Sequence, residues 1–295
     1  KFSSVVQREE AITGFAFATM NKILGTFRRN LIGNVRSKAK LKNITREIFG
    51  ENTGDVSAKE FAQAWTQTSE MLRKRANRAG ANIANRKDWG LPQMHNRFAI
   101  SKAGREQWKT NIAPLLNRNK MIDQTTGIKF NDFQLDLALN DVYDAIVTDG
   151  FNKLNPGAGG RGKSLGNARQ DHRFLVFKDA NSWMKYQDQF GDPNVFDTMI
   201  SHVKNMSRDI ALMEILGPNP TATTNFLKQT LNKKAKTKAL TGQIDAKAED
   251  KALKTGKKID NLYSAVTGRN NAPVDGVFAS SFAGLRQILQ SAQLG

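Results

Sequence analysis

The chain has 295 residues, and 45 Lys or Arg against 27 Asp or Glu give it a formal net charge of +18. It contains no cysteine, which excludes disulfides, thiolate metal sites and a cysteine nucleophile. A hydrophobic content of 39% is enough for a folded core, and no uninterrupted apolar run is long enough to predict a membrane-spanning helix.

The excess of positive charge favours a polyanionic partner. Nucleic acid is the first candidate and an anionic membrane surface is the second. A basic surface that serves only solubility or packing between subunits stays open as an alternative. The chain begins without Met and stops just after an amphipathic run. We therefore expect it to be a segment of a longer polypeptide.

Apolar residues at helical spacing predict a first helix over about residues 3–33 and a second over about 36–49, ending at Gly50. The run from Ser57 to Glu60 matches a capping box, which predicts the start of a third helix there. Gly80 is the expected stop of this third helix.

A loop is expected over residues 81–98, followed by a helix over 101–118 that Pro114 kinks or shortens. Asn131 is the expected N-cap of a helix over 132–149, which Gly150 ends. This helix is the one acidic stretch of the chain, with Asp132, Asp136, Asp141, Asp144 and Asp149.

A Gly-rich basic loop is expected over residues 151–171, and the run from Phe174 to Phe177 is the best strand candidate. Helices follow at about 180–190 and 194–216, and the second one ends at a Gly-Pro-Asn-Pro sequence. Residues 221–268 are rich in lysine and predict a marginal helical pair or a linker. A last helix is expected over 277–293.

These elements predict an all-α fold with long amphipathic helices, a Gly-rich central loop and little or no sheet. Along the chain we divide it into four parts: an N-terminal helical region, a loop with short elements, one long helix, and a Lys-rich C-terminal region. Their ranges are 1–150, 151–192, 193–220 and 221–295.

Residues 157–164 match the phosphate-binding pattern G-x-x-x-x-G-K-S, in which a lysine (Lys163) reaches phosphates and a serine (Ser164) holds magnesium. That chemistry needs a strand directly before the loop and a helix directly after it, and the flanking sequence favours neither. A flexible basic loop that contacts phosphate backbone is the better interpretation.

The histidines are His95, His172 and His202, and Asp171, Asp179 or Glu214 could join them in a metal or acid–base cluster. Their spacing fits no local metal signature, so a hydrogen-bonded structural role is the simpler interpretation. The tryptophans at 65, 89, 108 and 183 are expected to anchor helix packing, although Trp89 and Trp183 could also stack on bases. We expect no metal and no cofactor.

Lysine and arginine clusters are the candidate contacts with DNA phosphates. The lysine-rich stretch has few acidic residues, which favours contact with a polyanion over pairing within the chain. The candidate residues are Arg28, Arg29, Arg73, Lys74, Arg75, Arg161, Lys163, Lys233, Lys234 and Lys236. No motif for base-specific readout is present in the sequence.

Three stretches carry a resemblance to a known class of proteins. They are residues 88–95 (Asp-Trp-Gly-Leu-Pro-Gln-Met-His), 171–180 (Asp-His-Arg-Phe-Leu-Val-Phe-Lys-Asp-Ala) and 211–220 (Ala-Leu-Met-Glu-Ile-Leu-Gly-Pro-Asn-Pro). The chain resembles, over most of its length, the large internal virion proteins of short-tailed phages and prophages, also called ejection or core proteins. No catalytic role attaches to these strings.

This resemblance implies a protein inside the capsid that lies against packaged double-stranded DNA, contacts the portal or other core proteins, forms homo-oligomers, and enters the host envelope on ejection. It implies no enzymatic activity for this segment. Two alternatives remain: an enzyme acting on nucleic acid, through Lys163 and Ser164 or through the histidines, and a purely structural virion scaffold.

Overall fold

A computed structural model describes residues 2–34, 38–85, 90–122, 127–148, 175–240 and 246–267. Over these ranges the fold is all-α, as predicted. The helices are α1 (Phe2–Asn34), α2 (Lys38–Ile48), α3 (Val56–Arg78), α4 (Arg97–Ala103), α5 (Arg105–Ile112), α6 (Asp132–Val147), α7 (Ala180–Phe190), α8 (Val195–Leu216), α9 (Pro220–Leu240) and α10 (Ala246–Thr267). Single 3-10 turns follow α5, at Ala113–Leu115 and Arg118–Lys120. None of the described helices has both the length and the apolar content needed to cross a bilayer.

The chain forms two compact units. The central unit comprises residues 16–206, and the terminal unit combines residues 1–15 with 207–295. The four-part division predicted from composition follows the chain, whereas these units are defined by contacts. As a result, the first half of α1 belongs with the C-terminal part of the chain.

Helix α3 begins at a different cap from the one expected. The Asp55 carboxylate accepts a hydrogen bond from the backbone N–H of Ala58 at 3.1 Å, so the capping box predicted at Ser57 is wrong. Asp55 also accepts from the Asn43 side chain at 3.3 Å, which ties α2 to the start of α3. A carboxylate two residues upstream thus displaces the serine, because it satisfies the first free N–H groups of the helix.

The helix predicted over residues 101–118 is divided. Gly104 has φ +77°, a conformation that side chains rarely tolerate, and it separates α4 from α5. The α-helical part ends at Ile112, before Pro114, as the kink prediction requires. Asn131 caps α6 with a full capping box to Gln134, which confirms the predicted start of that helix.

The run ending at Phe177 forms a single bridge instead of a strand. Leu116 and Phe177 pair in antiparallel fashion, with Asn117 N donating to Val176 O at 2.7 Å and Lys178 N donating to Leu115 O at 3.0 Å. The one other bridge in the described residues joins Ile122 and Lys129. Both are too short to form a sheet.

Large aromatic side chains fill the core of the central unit. Trp65, Trp108 and Trp183 are at most 1% exposed, which confirms their predicted packing role. The alternative that Trp183 stacks on bases is wrong, because its ring is buried. Trp89 lies outside the described residues. Edge-on and tilted contacts such as Phe61 with Phe196, at 5.5 Å between centroids, add to the burial.

The terminal unit is held in part by ion pairs between the two ends of the chain. Arg8 lies 3.6 Å from Glu214, and Glu9 lies 3.5 Å from Arg208. Burial raises the pKa of Glu9 despite the nearby guanidinium of Arg208. These pairs join α1 to the second half of α8.

Candidate nucleic-acid interface

Helices α9 and α10 form an antiparallel hairpin, which confirms the predicted helical pair. The Thr221 and Tyr263 hydroxyls lie 2.8 Å apart, and Lys228 Nζ donates to Asp260 Oδ1 at 2.7 Å. Higher numbers on α9 thus face lower numbers on α10. Among the described side chains of this hairpin, Pro220, Thr224 and Tyr263 are the buried ones. The core of the hairpin is thin, so polar cross-links carry much of its alignment.

Lysines cover the outward side of this hairpin. Helix α9 has five lysines and no acidic residue, and α10 has five lysines against three acidic residues. Lys233 and Lys236 are exposed and lie one turn apart on α9, as predicted for DNA contacts, and Lys234 lies on α9 with its side chain outside the described residues. On α10, Lys254, Lys257 and Lys258 are exposed as well.

The α10 lysines are contacts that the candidate set did not include. Lys254, Lys257 and Lys258 repeat at helical spacing, on the side of α10 away from the buried Tyr263. The same spacing was visible in the sequence, but only the antiparallel pairing with α9 indicates which side of α10 faces solvent. The hairpin therefore presents lysines from both helices.

Four further candidates have no described side chain. Arg28 and Arg29 lie on α1, and their side chains are outside the described residues. Arg161 and Lys163, with the whole Gly-rich motif at 157–164, lie outside the described residues as well. Their contact with DNA stays a prediction, as does the alternative of a nucleotide site at Lys163 and Ser164.

Arg73 is engaged within the protein. Its guanidinium makes a bidentate pair with Glu70, at 2.7 and 2.8 Å, and donates to the carbonyl of Ile83 at 2.8 Å. Asn77 bonds the same residue, accepting from Ile83 N at 2.8 Å and donating to Ile83 O at 3.0 Å. Arg73 holds the pKa of Glu70 below its usual range, and Glu70 raises the pKa of Arg73. This guanidinium fixes the chain after α3.

The neighbours of Arg73 differ in exposure. The Lys74 side chain is 66% exposed and lies 3.6 Å from Glu70, a surface pair of little energetic weight. Arg75 is half-buried. Of the three adjacent cations predicted on α3, Lys74 is the most open to solvent.

The acidic stretch on α6 is largely neutralised by nearby cations. Lys109 Nζ lies 2.7 Å from Asp136 and 3.0 Å from Glu106, and Arg105 pairs with Asp144 at 2.7 Å. Arg118 pairs with Asp132. Lys109 lowers the pKa of Asp136, and hydrogen bonds to the carboxylates raise the pKa of Lys109. The acids thus serve to pack α6 on α5.

The described histidines take part in different contacts. His95 is exposed as a residue, but its Nδ1 lies 2.7 Å from the hydroxyl of the buried Tyr186, and loss of hydration lowers the pKa of His95 to about 4. Burial raises the pKa of Tyr186. His202 packs edge-on against Trp65, with centroids 5.8 Å apart, and His172 lies outside the described residues.

The acidic partners suggested for the histidines have other roles. Asp179 is the N-cap of α7 and accepts from Ser182 N at 2.7 Å, while Glu214 pairs with Arg8. No group of three or more His, Asp or Glu side chains with metal-binding geometry occurs in the described part of the chain. Asp171 lies outside it.

The loop before α4 is fixed by its own polar groups. Trp65 Nε1 donates to Gly90 O at 3.1 Å, Gln93 Nε2 donates to Leu175 O at 2.6 Å, and Asn96 N donates to Phe190 O at 2.8 Å. A side chain at position 90 would crowd the Phe49 ring, at 3.1 Å. This distinctive stretch therefore has a structural use within the central unit.

Comparisons with protein-family models, with curated proteins and with solved structures find no match to this chain.

Proposed function

We propose that this chain binds the phosphate backbone of double-stranded DNA without reading its base sequence, and that the α9–α10 hairpin is its main contact surface. The observation that supports this most directly is the array of exposed lysines on the hairpin, at Lys233, Lys236, Lys257 and Lys258. A surface of this sign attracts phosphates, and binding releases the counterions condensed on DNA.

We further propose that the chain is a segment of a bacteriophage internal virion protein, of the ejection or core class, that assembles with copies of itself and with portal or other core proteins. It would lie in the capsid interior and pass to the host envelope during genome delivery. The resemblance in sequence supports this wider role, and the basic charge and the all-α fold agree with it.

The test is equilibrium binding to a fluorescent duplex over a range of salt concentrations. The variant carries Lys233→Glu, Lys236→Glu, Lys257→Glu and Lys258→Glu. We expect its affinity at about 100 mM salt to fall at least tenfold, because the log–log salt slope loses about 0.9 for each phosphate contact removed.

A matched control separates a local contact from the loss of overall charge. Lys42, Lys102, Lys178 and Lys185 are exposed on the central unit, and changing them to Glu alters the net charge equally. We expect this control to keep the wild-type salt slope. Equal losses in both variants would contradict a hairpin interface, and no binding by the wild type at low salt would favour the purely structural scaffold.

A further inference from the structure

One aromatic side chain lies among the outward lysines of α9. Phe226 is 65% exposed, although a phenyl ring gains about 2 kcal/mol from burial. It lies seven residues before Lys233, which is two helical turns, so both side chains share one face about 10 Å apart along the axis. Lys236 lies one turn further on the same side.

Duplex DNA offers this ring no partner. Its phosphates face outward and its bases are stacked inside, so a helix that contacts only the backbone leaves Phe226 in water. A single strand has both groups within reach, since its bases can turn away from the backbone and stack on an aromatic side chain while the phosphates meet cations. A ring beside lysines on one helix face has the chemistry of such a site.

We propose that the α9–α10 hairpin binds single-stranded nucleic acid more tightly than duplex, with a base stacked on Phe226 and the neighbouring phosphates at Lys233 and Lys236. This rests on the proposed DNA-binding function and adds a base contact that is independent of sequence. The absence of acidic residues on α9 supports it, because a strand following this face meets no carboxylate of that helix.

The test compares oligothymidylate of 20 nucleotides with a duplex of 20 base pairs at one salt concentration. Phe226→Ala should weaken binding to the single strand by about tenfold or more, the usual effect of losing one stacked base, and leave duplex binding unchanged. Phe226→Trp should keep the affinity, and its added indole should be quenched when the single strand binds.

Two controls define the contact. Phe226→Leu keeps an apolar side chain but has no aromatic face, so it should behave like the alanine variant. Phe133 is 72% exposed on α6, between the carboxylates of Asp132 and Asp136, and Phe133→Ala should leave both affinities unchanged.

Three results would overturn the inference: wild-type preference for duplex, full affinity in Phe226→Leu, or equal losses on single strand and duplex in Phe226→Ala. In each case salt-dependent duplex binding could persist, and the proposed function would stand. If neither nucleic acid binds at low salt, the proposed function itself fails.

Discussion

The pair formed by His95 and Tyr186 links an exposed residue to a buried hydroxyl. Because Nδ1 lies 2.7 Å from that hydroxyl, the neutral imidazole can accept its proton in a hydrogen bond. Protonation at Nδ1 removes this acceptor and places a charge where hydration is reduced. This agrees with the lowered pKa of about 4.

A pH dependence of stability follows from this pair. The unfolded chain takes up a proton at His95 below about pH 6.5, while the folded chain resists it down to about pH 4. The contribution of His95 is therefore intact above pH 6.5, and the free energy of unfolding falls as pH drops through this window.

His95→Gln, which cannot bind a proton, should remove this part of the pH dependence. Urea unfolding of wild type and variant at several pH values between 7 and 4 measures the difference. Parallel profiles over the whole window would show that His95 titrates alike in both states.

Arg73 shows where sequence reasoning stops at the level of one residue. A run of cations at a helix end predicts DNA contact as readily as structure, because charge is visible in sequence and hydrogen-bond partners are not. Glu70, three residues before Arg73, was the available sign of a local pair. The bond to Ile83 depends on how the chain turns after α3, which the sequence does not reveal.

The start of α3 shows how one side chain sets the position of an element. Asp55 caps the helix and also accepts from Asn43, so it stabilises α3 and its attachment to α2 at once. Asp55→Ala should lower the free energy of unfolding by about 1–2 kcal/mol. Chemical denaturation measures this change.

Two substitutions serve as controls for that cap. Asp55→Asn should retain most of the stability, because asparagine caps helices about as well as aspartate. Ser57→Ala should change the stability by less than about 0.5 kcal/mol. A larger loss for Ser57→Ala than for Asp55→Ala would return the cap to the position that the sequence favours.

Helices were the most predictable elements of this chain, and their breaks were the least. The apolar periodicity located α1, α7 and α8 closely. The division between α4 and α5 was missed because the turn at Gly104 lies inside a continuous periodic run. The bridge between Leu116 and Phe177 was also out of reach, since its partners are 61 positions apart in the sequence.

At the scale of the whole molecule, a net charge of +18 opposes compaction. Added salt screens this repulsion, and it also weakens surface ion pairs such as Lys228 with Asp260. With 45 cations against 27 acids, relief of repulsion should dominate. The melting temperature should rise by a few degrees between about 50 and 500 mM NaCl.

The same increase in salt should weaken DNA binding, so stability and affinity should respond in opposite directions. Thermal unfolding followed by circular dichroism gives the first response, and the duplex titration gives the second. A melting temperature that falls with salt would show that ion pairs outweigh the repulsion.

Composition predicted the fold class, but it did not predict which distant parts of the chain join. Residues 1–15 belong to the same unit as 207–295, through contacts such as Arg8 with Glu214. Likewise, a lysine-rich stretch is visible in the sequence, but the alignment of α9 with α10 depends on Lys228 reaching Asp260, 32 positions away. These pairings are choices among many equally charged partners.

The cross-links of the α9–α10 hairpin also determine how it responds to mechanical force. Thr221–Tyr263 and Lys228–Asp260 both lie near the open end, where the chain enters and leaves the hairpin. Tension on the two ends loads these contacts one after another, in an unzipping geometry, instead of shearing them together. Once both have parted, few buried side chains resist further separation, so the hairpin should extend at low force.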